Sequence, residues 1–178
     1  MESIELDAGP LRLRPWRADD VDVVWAAQQD PGIRLWAGGV ASRADATALL
    51  HRLRGQPDRV SWAVMDAATG AVLGDVSLHS IDAVQNDAEI GYWTAAVARG
   101  RGVAATAVDA ACRWAFASLP VDRVELCHAV ENEASGRVAE KAGFTLEGRL
   151  RRSYRYGDGV KHDELLWSRL SDDPAPGG

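Results

Sequence analysis

Strand-like segments joined by short turns bracket a single strand-helix-strand unit, and this arrangement predicts an α/β (α+β mixed) fold. The central sheet is expected to be mixed and mostly antiparallel. Short turns join antiparallel neighbours, whereas a strand-helix-strand unit makes its two strands parallel. Size agrees with a single domain: 178 residues, 47% hydrophobic and 26% charged, suit one soluble globular unit with a buried core.

Residues 4–14 contain Leu11-Arg12-Leu13-Arg14, whose alternation predicts an opening strand that Pro15 closes. Residues 18–32 predict a short helix, with Asp19 or Asp20 as N-cap and Asp30-Pro31-Gly32 as its stop. A second helix starts after Ser42, which with Asp45 resembles a capping box; Ala46, Leu49, Leu50 and Leu53 form its apolar face and Gly55 its end. Residues 33–40 are expected to be the loop between these helices. Residues 60–66 and 71–81 predict two strands joined by the turn 67–70, and residues 88–97 a third after the loop 82–87.

A helix from about Arg101 to before Pro120 places Val103, Ala107, Ala111, Trp114 and Ala115 on one stripe. Residues 123–130 predict the strand that follows, parallel to the third strand. Residues 131–144 predict a helix capped by Asn132 and ended by Gly143, with Val138 and Ala142 inward. Residues 144–156 and 160–170 predict a closing hairpin around Gly157-Asp158-Gly159. One domain over residues 1–170 is expected, with a disordered tail over 171–178.

The formal net charge of -6 and pI near 5.2 disfavour a nonspecific nucleic-acid binder and suit cationic partners better than anionic ones. Arg149, Arg151, Arg152 and Arg155 still make a local basic patch. Cys112 and Cys127 lack metal-ligand spacing and read as small buried hydrophobes, so neither a metal site nor a disulfide is expected. No leader pattern opens the sequence, and no apolar run approaches the roughly 18 residues that cross a membrane, so a cytoplasmic protein with no membrane partner is expected. Trp16, Trp25, Trp36, Trp62, Trp93, Trp114 and Trp167 are expected mostly in the core, with one or two lining a cleft.

The chemistry is concentrated in Ala98-Arg99-Gly100-Arg101-Gly102-Val103-Ala104, two glycines and two arginines at a helix start. Glycines admit a ligand close to the backbone, and the unpaired N–H groups of a helix start attract an anion such as phosphate. Two registers are available. Gly100, Gly102 and Ala105 satisfy G-x-G-x-x-A, the dinucleotide-binding pattern, with Glu125 as a candidate ribose acid. That register predicts a nucleotide-binding oxidoreductase using NAD(P) on a doubly wound sheet, which the flanking hairpins do not supply.

The other register, Arg99-Gly100-Arg101-Gly102-Val103-Ala104, resembles the phosphate-binding motif of the GNAT superfamily of acyl-CoA N-acyltransferases. Ala88-Glu89-Ile90-Gly91-Tyr92-Trp93 before it and residues 131–148 after it resemble the flanking motifs of the RimJ/RimL branch, in matching order from about residue 10 to 170. The resemblance implies a three-layer fold whose two parallel central strands splay apart. It implies acetyl-CoA as cofactor, released as CoA, and transfer of its acetyl group by direct attack of a primary amine, either a protein N-terminus or a small molecule. A non-catalytic acyl-CoA-binding module is the alternative from another class. The protein is expected to act as a monomer or a homodimer.

The resemblance also implies site residues. Trp93, Val97, Arg99, Gly100, Arg101, Gly102, Val103 and Ala104, with Asn132 and Ser135, are the expected cofactor contacts. Acyl transfer to an amine needs a proton acceptor, an oxyanion donor and a proton source for the thiolate. Glu89 is the candidate base, with His79 or a water relay as rivals. A backbone N–H near Tyr92 or Trp93 would meet the oxyanion. Ser135, in Asn132-x-x-Ser135, is the candidate thiolate stabiliser, with Tyr154 and Tyr156 as alternative acids. His128 is expected to pack or to border the cleft. Trp36, Gly38 and Gly39, in the loop between the N-terminal helices and opposite the closing hairpin, are the expected acceptor contacts, with His79 late on the strand 71–81.

Overall fold

The computed structural model describes residues 4–177; residues 1–3 of the expected domain and residue 178 of the expected tail lie outside the described residues. The opening segment is two strands and not one. Leu6–Ala8 (β1) and Leu11–Pro15 (β2) pair antiparallel around Gly9, which adopts φ 67° while its N–H donates to Asp7 Oδ1 at 2.9 Å. Pro15 is the last residue of β2 and not a break beyond it. β2 pairs with Val60–Asp66 (β3), β3 with Val72–Asp82 (β4), and β4 with Asp87–Thr94 (β5), all antiparallel.

The N-terminal helices hold the main correction. Val21–Ala27 (α1) forms as expected after a turn of 3-10 helix over Ala18–Asp20, but Asp30-Pro31 starts a further helix, Pro31–Trp36 (α2). Asp30 Oδ1 accepts the Ile33 N–H at 2.9 Å, and Pro31 sits at the first helical position, where its missing N–H costs nothing. The same Asp-Pro pair thus reads as a stop or a start. In Arg43–Gly55 (α3) the expected cap is present: Ser42 Oγ accepts the Asp45 N–H at 3.1 Å.

Val103–Ser118 (α4) connects β5 to Arg123–Ala129 (β6), which lies parallel to β5. Glu133–Lys141 (α5) follows, and Thr145–Arg155 (β7) and Lys161–Leu170 (β8) close the chain as a hairpin. The sheet order is β1-β2-β3-β4-β5-β6-β8-β7, with one parallel pair. A dinucleotide fold would need a succession of parallel strands, so the topology does not supply the context for the G-x-G-x-x-A register. Residues 171–177 carry no helix or strand, and the Ser171 N–H donates to the Asp122 carbonyl at 2.9 Å.

Alternation along the strands divides the apolar residues into two cores. Trp62 and Val64 face α4, whereas Ala63 faces the layer of α1, α2 and α3 with Trp16, Leu50 and Trp93. Ala107, Ala110, Ala111 and Ala115 are buried along α4, and their small side chains let the helix lie close to the sheet while Trp62 and Trp114 meet edge to face at 5.1 Å. A larger side chain at Ala111 would overpack this contact at about 1–3 kcal/mol.

The sheet opens between its two parallel strands. β5 and β6 pair through Asp87↔Arg123, Ala88↔Val124 and Glu89↔Glu125, and no further. Beyond that point β5 keeps its ladder with β4 as far as Thr94, and β6 keeps its ladder with β8 as far as Ala129. The sheet therefore continues as two diverging halves, and the open edge of β5 from Ile90 to Thr94 faces a cleft.

Candidate active site

The cleft measures about 830 Å³ and is lined by the open edge of β5, the turn and first residues of α4, and the start of α5. Gly100 (φ 74°) and Gly102 (φ 77°) make the turn in the left-handed region, and neither would have an atom within 4 Å of an added Cβ. Gly102 caps α4, so the N–H groups of its first turn open on to the cleft, and Val103 and Ala104 lie on the wall. An uncrowded backbone and a helix dipole suit the phosphates of a nucleotide-type cofactor.

The two arginines of the turn each face a carboxylate. Arg99 meets Asp30 Oδ1 at 2.5 Å and donates from Nε to the Thr94 carbonyl, so it ties the turn to the cap of α2. Its guanidinium, with the Ile33 N–H, holds the Asp30 carboxyl below its usual range. Arg101 stands 3.6 Å from Asp66. Of the other expected cofactor contacts, Val97 is 83% exposed on a turn of 3-10 helix, and the Trp93 side chain packs 6.2 Å from Trp16 in the core beneath α1 and α3.

Asn132, Ser135 and Tyr92 come together at the start of α5. Asn132 caps the helix, with Oδ1 accepting the Ser135 N–H at 3.4 Å, and this leaves the Ser135 hydroxyl free to lie 2.6 Å from the Tyr92 hydroxyl. Burial pushes the Tyr92 phenol up to about 12, so it remains protonated and can donate to Ser135 Oγ.

His79 and Glu89 are opposite one another on β4 and β5, with His79 Nδ1 4.0 Å from Glu89 Oε2. A bulge between His79 and Asp82, with Ser80 at φ 51°, ends the regular pairing beside His79. Gly91 leaves room for the imidazole: a Cβ there would stand 3.5 Å from His79 Nε2. Burial foremost, with Arg59, lowers the His79 pKa, which keeps the ring neutral near pH 7. Glu89 is more than half exposed at the rim.

A second cavity, about 430 Å³, opens on the same His79, Glu89 and Gly91 between α2 and the β7–β8 hairpin. Trp36 and Gly38 lie on one wall, with Tyr154, Tyr156 and Glu164 opposite. Trp36 meets Tyr156 edge to face at 5.4 Å, and the Gly157 N–H donates to the Leu35 carbonyl at 3.0 Å, so the hairpin turn and α2 are docked. Tyr156 donates to Glu164 at 2.8 Å, and burial together with that carboxylate raises its pKa. Gly39 lies against the Arg34 side chain.

His128 is a core residue with both ring nitrogens engaged: Nδ1 donates to the Ala129 carbonyl at 2.8 Å and Nε2 accepts from Trp167 Nε1 at 3.0 Å. Both cysteines are free; Cys112 is buried, but Cys127 is exposed, because β6 has lost its neighbour there. Among the described residues no group of His, Cys, Asp or Glu is arranged to hold a metal, and no helix is long and apolar enough to cross a membrane.

Reading the sequence alone passes over Gln28, Arg59, Asp75 and Ser77, which line the cleft beneath α1 and α3. A signal exists in Asp75-Val-Ser77-Leu-His79, a period-two polar face on a strand otherwise apolar. Glu125, which the sequence offers only as a candidate ribose acid, and Glu164, which carries no mark, come to the second cavity through the pairing of β6 with β8.

The description "Acetyltransferase (GNAT) domain" matches residues 10–145. The chain is 42% identical over 105 residues to the "Putative ribosomal N-acetyltransferase YdaF" of Bacillus subtilis (strain 168), covering 57% of this chain and 55% of that protein. It is 31% identical over 101 residues to the ribosomal-protein-serine acetyltransferase of Escherichia coli (strain K12), covering 57% and 56%. The matched segment thus spans little more than half the length of these two relatives. Among solved structures, a GCN5-related N-acetyltransferase from Brucella melitensis superposes with TM-score 0.82 at 28% identity, covering 96% of this chain and 80% of that one. The match over residues 10–145, and a fold shared with that acetyltransferase over nearly the whole chain, mean that this chain belongs to the GNAT acetyltransferase family.

Proposed function

We propose that the protein transfers the acetyl group of acetyl-CoA to a primary amine by direct attack in a ternary complex. The observation that carries this reading is the continuity of one cleft from the phosphate-sized turn at Gly100–Ala104, along the open edge of β5, to the Tyr92–Ser135 pair. The extended backbone of β5 beyond Glu89 can hydrogen-bond a pantetheine arm as if it were another strand, and a backbone N–H near Tyr92 can meet the developing oxyanion.

The side chains divide the proton work. His79 Nε2, neutral and facing Gly91, accepts the proton that the attacking amine loses as its N–C bond forms. Glu89 stabilises the resulting imidazolium from the Nδ1 side. Ser135 Oγ–H donates to the departing sulfur as the C–S bond breaks, and Tyr92 O–H supports Ser135 through their hydrogen bond. His79 and Glu89 are thereby joined in one relay, with the imidazole over Gly91 and the carboxylate at the rim. The acceptor enters through the second cavity, whose carboxylates Glu89 and Glu164 attract an ammonium group, Glu125 being held by Arg123.

Thermal-shift titration separates this reading from a nicotinamide-nucleotide binder: acetyl-CoA stabilises the protein and NAD(H) does not. Thiol release on mixing with acetyl-CoA and an amine panel separates it from a non-catalytic module. Stabilisation by NAD(H) alone, or CoA binding without thiol release from any amine, overturns it.

A further inference from the structure

The cleft continues past His79 into a polar chamber under α1 and α3, where Gln28, Arg59, Asp75 and Ser77 line its wall. Two of these groups have unmet hydrogen-bonding capacity. Gln28 is 2% exposed, and its carboxamide oxygen is fully buried with no hydrogen-bond partner among the described residues. Arg59 makes no ion pair and no side-chain hydrogen bond among the described residues, although burial, the foremost influence on its guanidinium, disfavours its charge there. Arg99, on the same cleft, behaves differently, since it holds the Asp30 carboxylate.

Asp75 does not satisfy Arg59. Its Oδ1 accepts from Trp16 Nε1 at 2.7 Å, and its Oδ2 lies 3.0 Å from Ser77 Oγ, which is also 2.7 Å from Ser61 Oγ. Burial foremost pushes the Asp75 carboxyl up to about 6, so its negative charge is itself held at a cost. A guanidinium with five donors and no acceptor can be satisfied by an oxyanion, and by a carboxylate in two-point contact. Gln28, on the same wall, can donate to that carboxylate through its carboxamide N–H groups only, since its oxygen is an acceptor. Asp75 and Ser77 stand on the strand that carries His79, and Arg59 immediately precedes Val60, which pairs with Leu78, so Arg59 lies beside His79 and a ligand at the imidazole can reach it.

We infer that the acceptor is a small amine that also carries a carboxylate, with the amine at His79 and the carboxylate held by Arg59 in the chamber walled by Gln28. This rests on the acetyl-transfer reading for the role of His79, but the anchor itself is a binding site. At the second cavity Glu89 and Glu164 face the ammonium end, while Arg59, with Arg52 on the same cleft, faces the other end.

Calorimetric titration of the CoA-loaded protein tests it, with amino acids from glycine to ε-aminohexanoate compared with n-alkylamines of equal length and with putrescine. At one chain length or more the amino acid binds at least about tenfold more tightly than its alkylamine, a difference within reach of one charge-assisted contact. Arg59→Gln reduces that advantage to about twofold or less, and Arg59→Lys keeps part of it, while CoA affinity reports folding in each variant. If Arg59→Gln does not fold, the wild-type series and Arg59→Lys decide. Alkylamines or putrescine binding as tightly as the amino acids at every length, or an advantage that survives Arg59→Gln, overturns the anchor. Thiol release measured on the same compounds keeps the two readings apart: release without carboxylate preference overturns the anchor alone, and carboxylate binding without release from any amine overturns the transfer reading alone.

Discussion

The hydroxyls of Tyr92 on β5 and Ser135 on α5 lie 2.6 Å apart, across the gap where the two halves of the sheet diverge. This contact joins a strand and a helix 43 positions apart, and each element owes its place to a different feature: the ladder of β5 with β4, and the Asn132 cap of α5. If the pair acts as a unit on the departing thiolate, Ser135→Ala lowers kcat by about tenfold to a hundredfold with little change in the acetyl-CoA KM. Tyr92→Phe lowers kcat in the same direction, and the double variant is about as slow as Ser135→Ala alone. Losses that simply add would separate the two hydroxyls.

The pH profile distinguishes His79 from Glu89. Burial and Arg59 hold the His79 imidazole below its ordinary value of 6.5, and Glu89 opposes them. The acid limb of kcat/KM therefore lies below pH 6.5, where the imidazole gains a proton and can no longer accept one. Glu89→Gln removes a charge that favours imidazolium, so it moves this limb to lower pH and lowers the rate only in part. His79→Gln abolishes the limb and lowers kcat/KM by about a hundredfold. An unchanged limb in His79→Gln would reassign the base.

Gly157 is the point where the hairpin turn meets α2: an added Cβ would stand 2.0 Å from the Arg34 carbonyl oxygen, a backbone atom that cannot give way alone. Gly157→Ala therefore pushes α2 away from the β7–β8 turn and disturbs the Trp36–Tyr156 contact. The expected result is a lower Tm, by several degrees, and a raised acceptor KM. Acetyl-CoA affinity, read by calorimetry, falls by less than acceptor affinity, since α2 reaches the Gly100–Gly102 turn only through the Asp30–Arg99 contact. A loss of acetyl-CoA affinity as large as the loss for the acceptor would contradict this division of the site.

Asp75 gives a stability signature of opposite sign to that of an ion-paired carboxylate. Its folded-state value of about 6 lies above the ordinary 3.8, so the folded protein holds the proton longer than the unfolded chain. Stability consequently falls as pH rises from about 4 to about 6 and stays lower above that range, on the order of 3 kcal/mol for a shift of this size. Asp75→Asn keeps an acceptor for Trp16 Nε1 and removes the ionisation. Carboxylates held low by their partners, such as Glu147, act in the opposite direction, so chemical denaturation should show wild type losing stability relative to Asp75→Asn as pH rises through this range.

Much of the fold was legible because it is written in local patterns. Ser42 and Asp45 mark a helix start with groups that bond one another, and Gly100 and Gly102 mark a turn that only a residue tolerant of positive φ makes easily. Asp30-Pro31 was ambiguous for a physical reason: proline ends one helix and begins another with the same fixed φ, and packing decides which. The sequence by itself determined the β3–β4 and β7–β8 hairpins, the single parallel crossover, the glycine turn before α4 and the Asn132-x-x-Ser135 cap, since each depends on residues near one another in the chain. Only the tertiary structure decided that β5 and β6 separate after Glu89 and Glu125, that Tyr92 meets Ser135, that His79 lies over Gly91, and that Arg59 and Gln28 share a chamber. Those relationships join residues far apart in the chain, and they exist only because a sheet paired on its outer edges leaves its middle open.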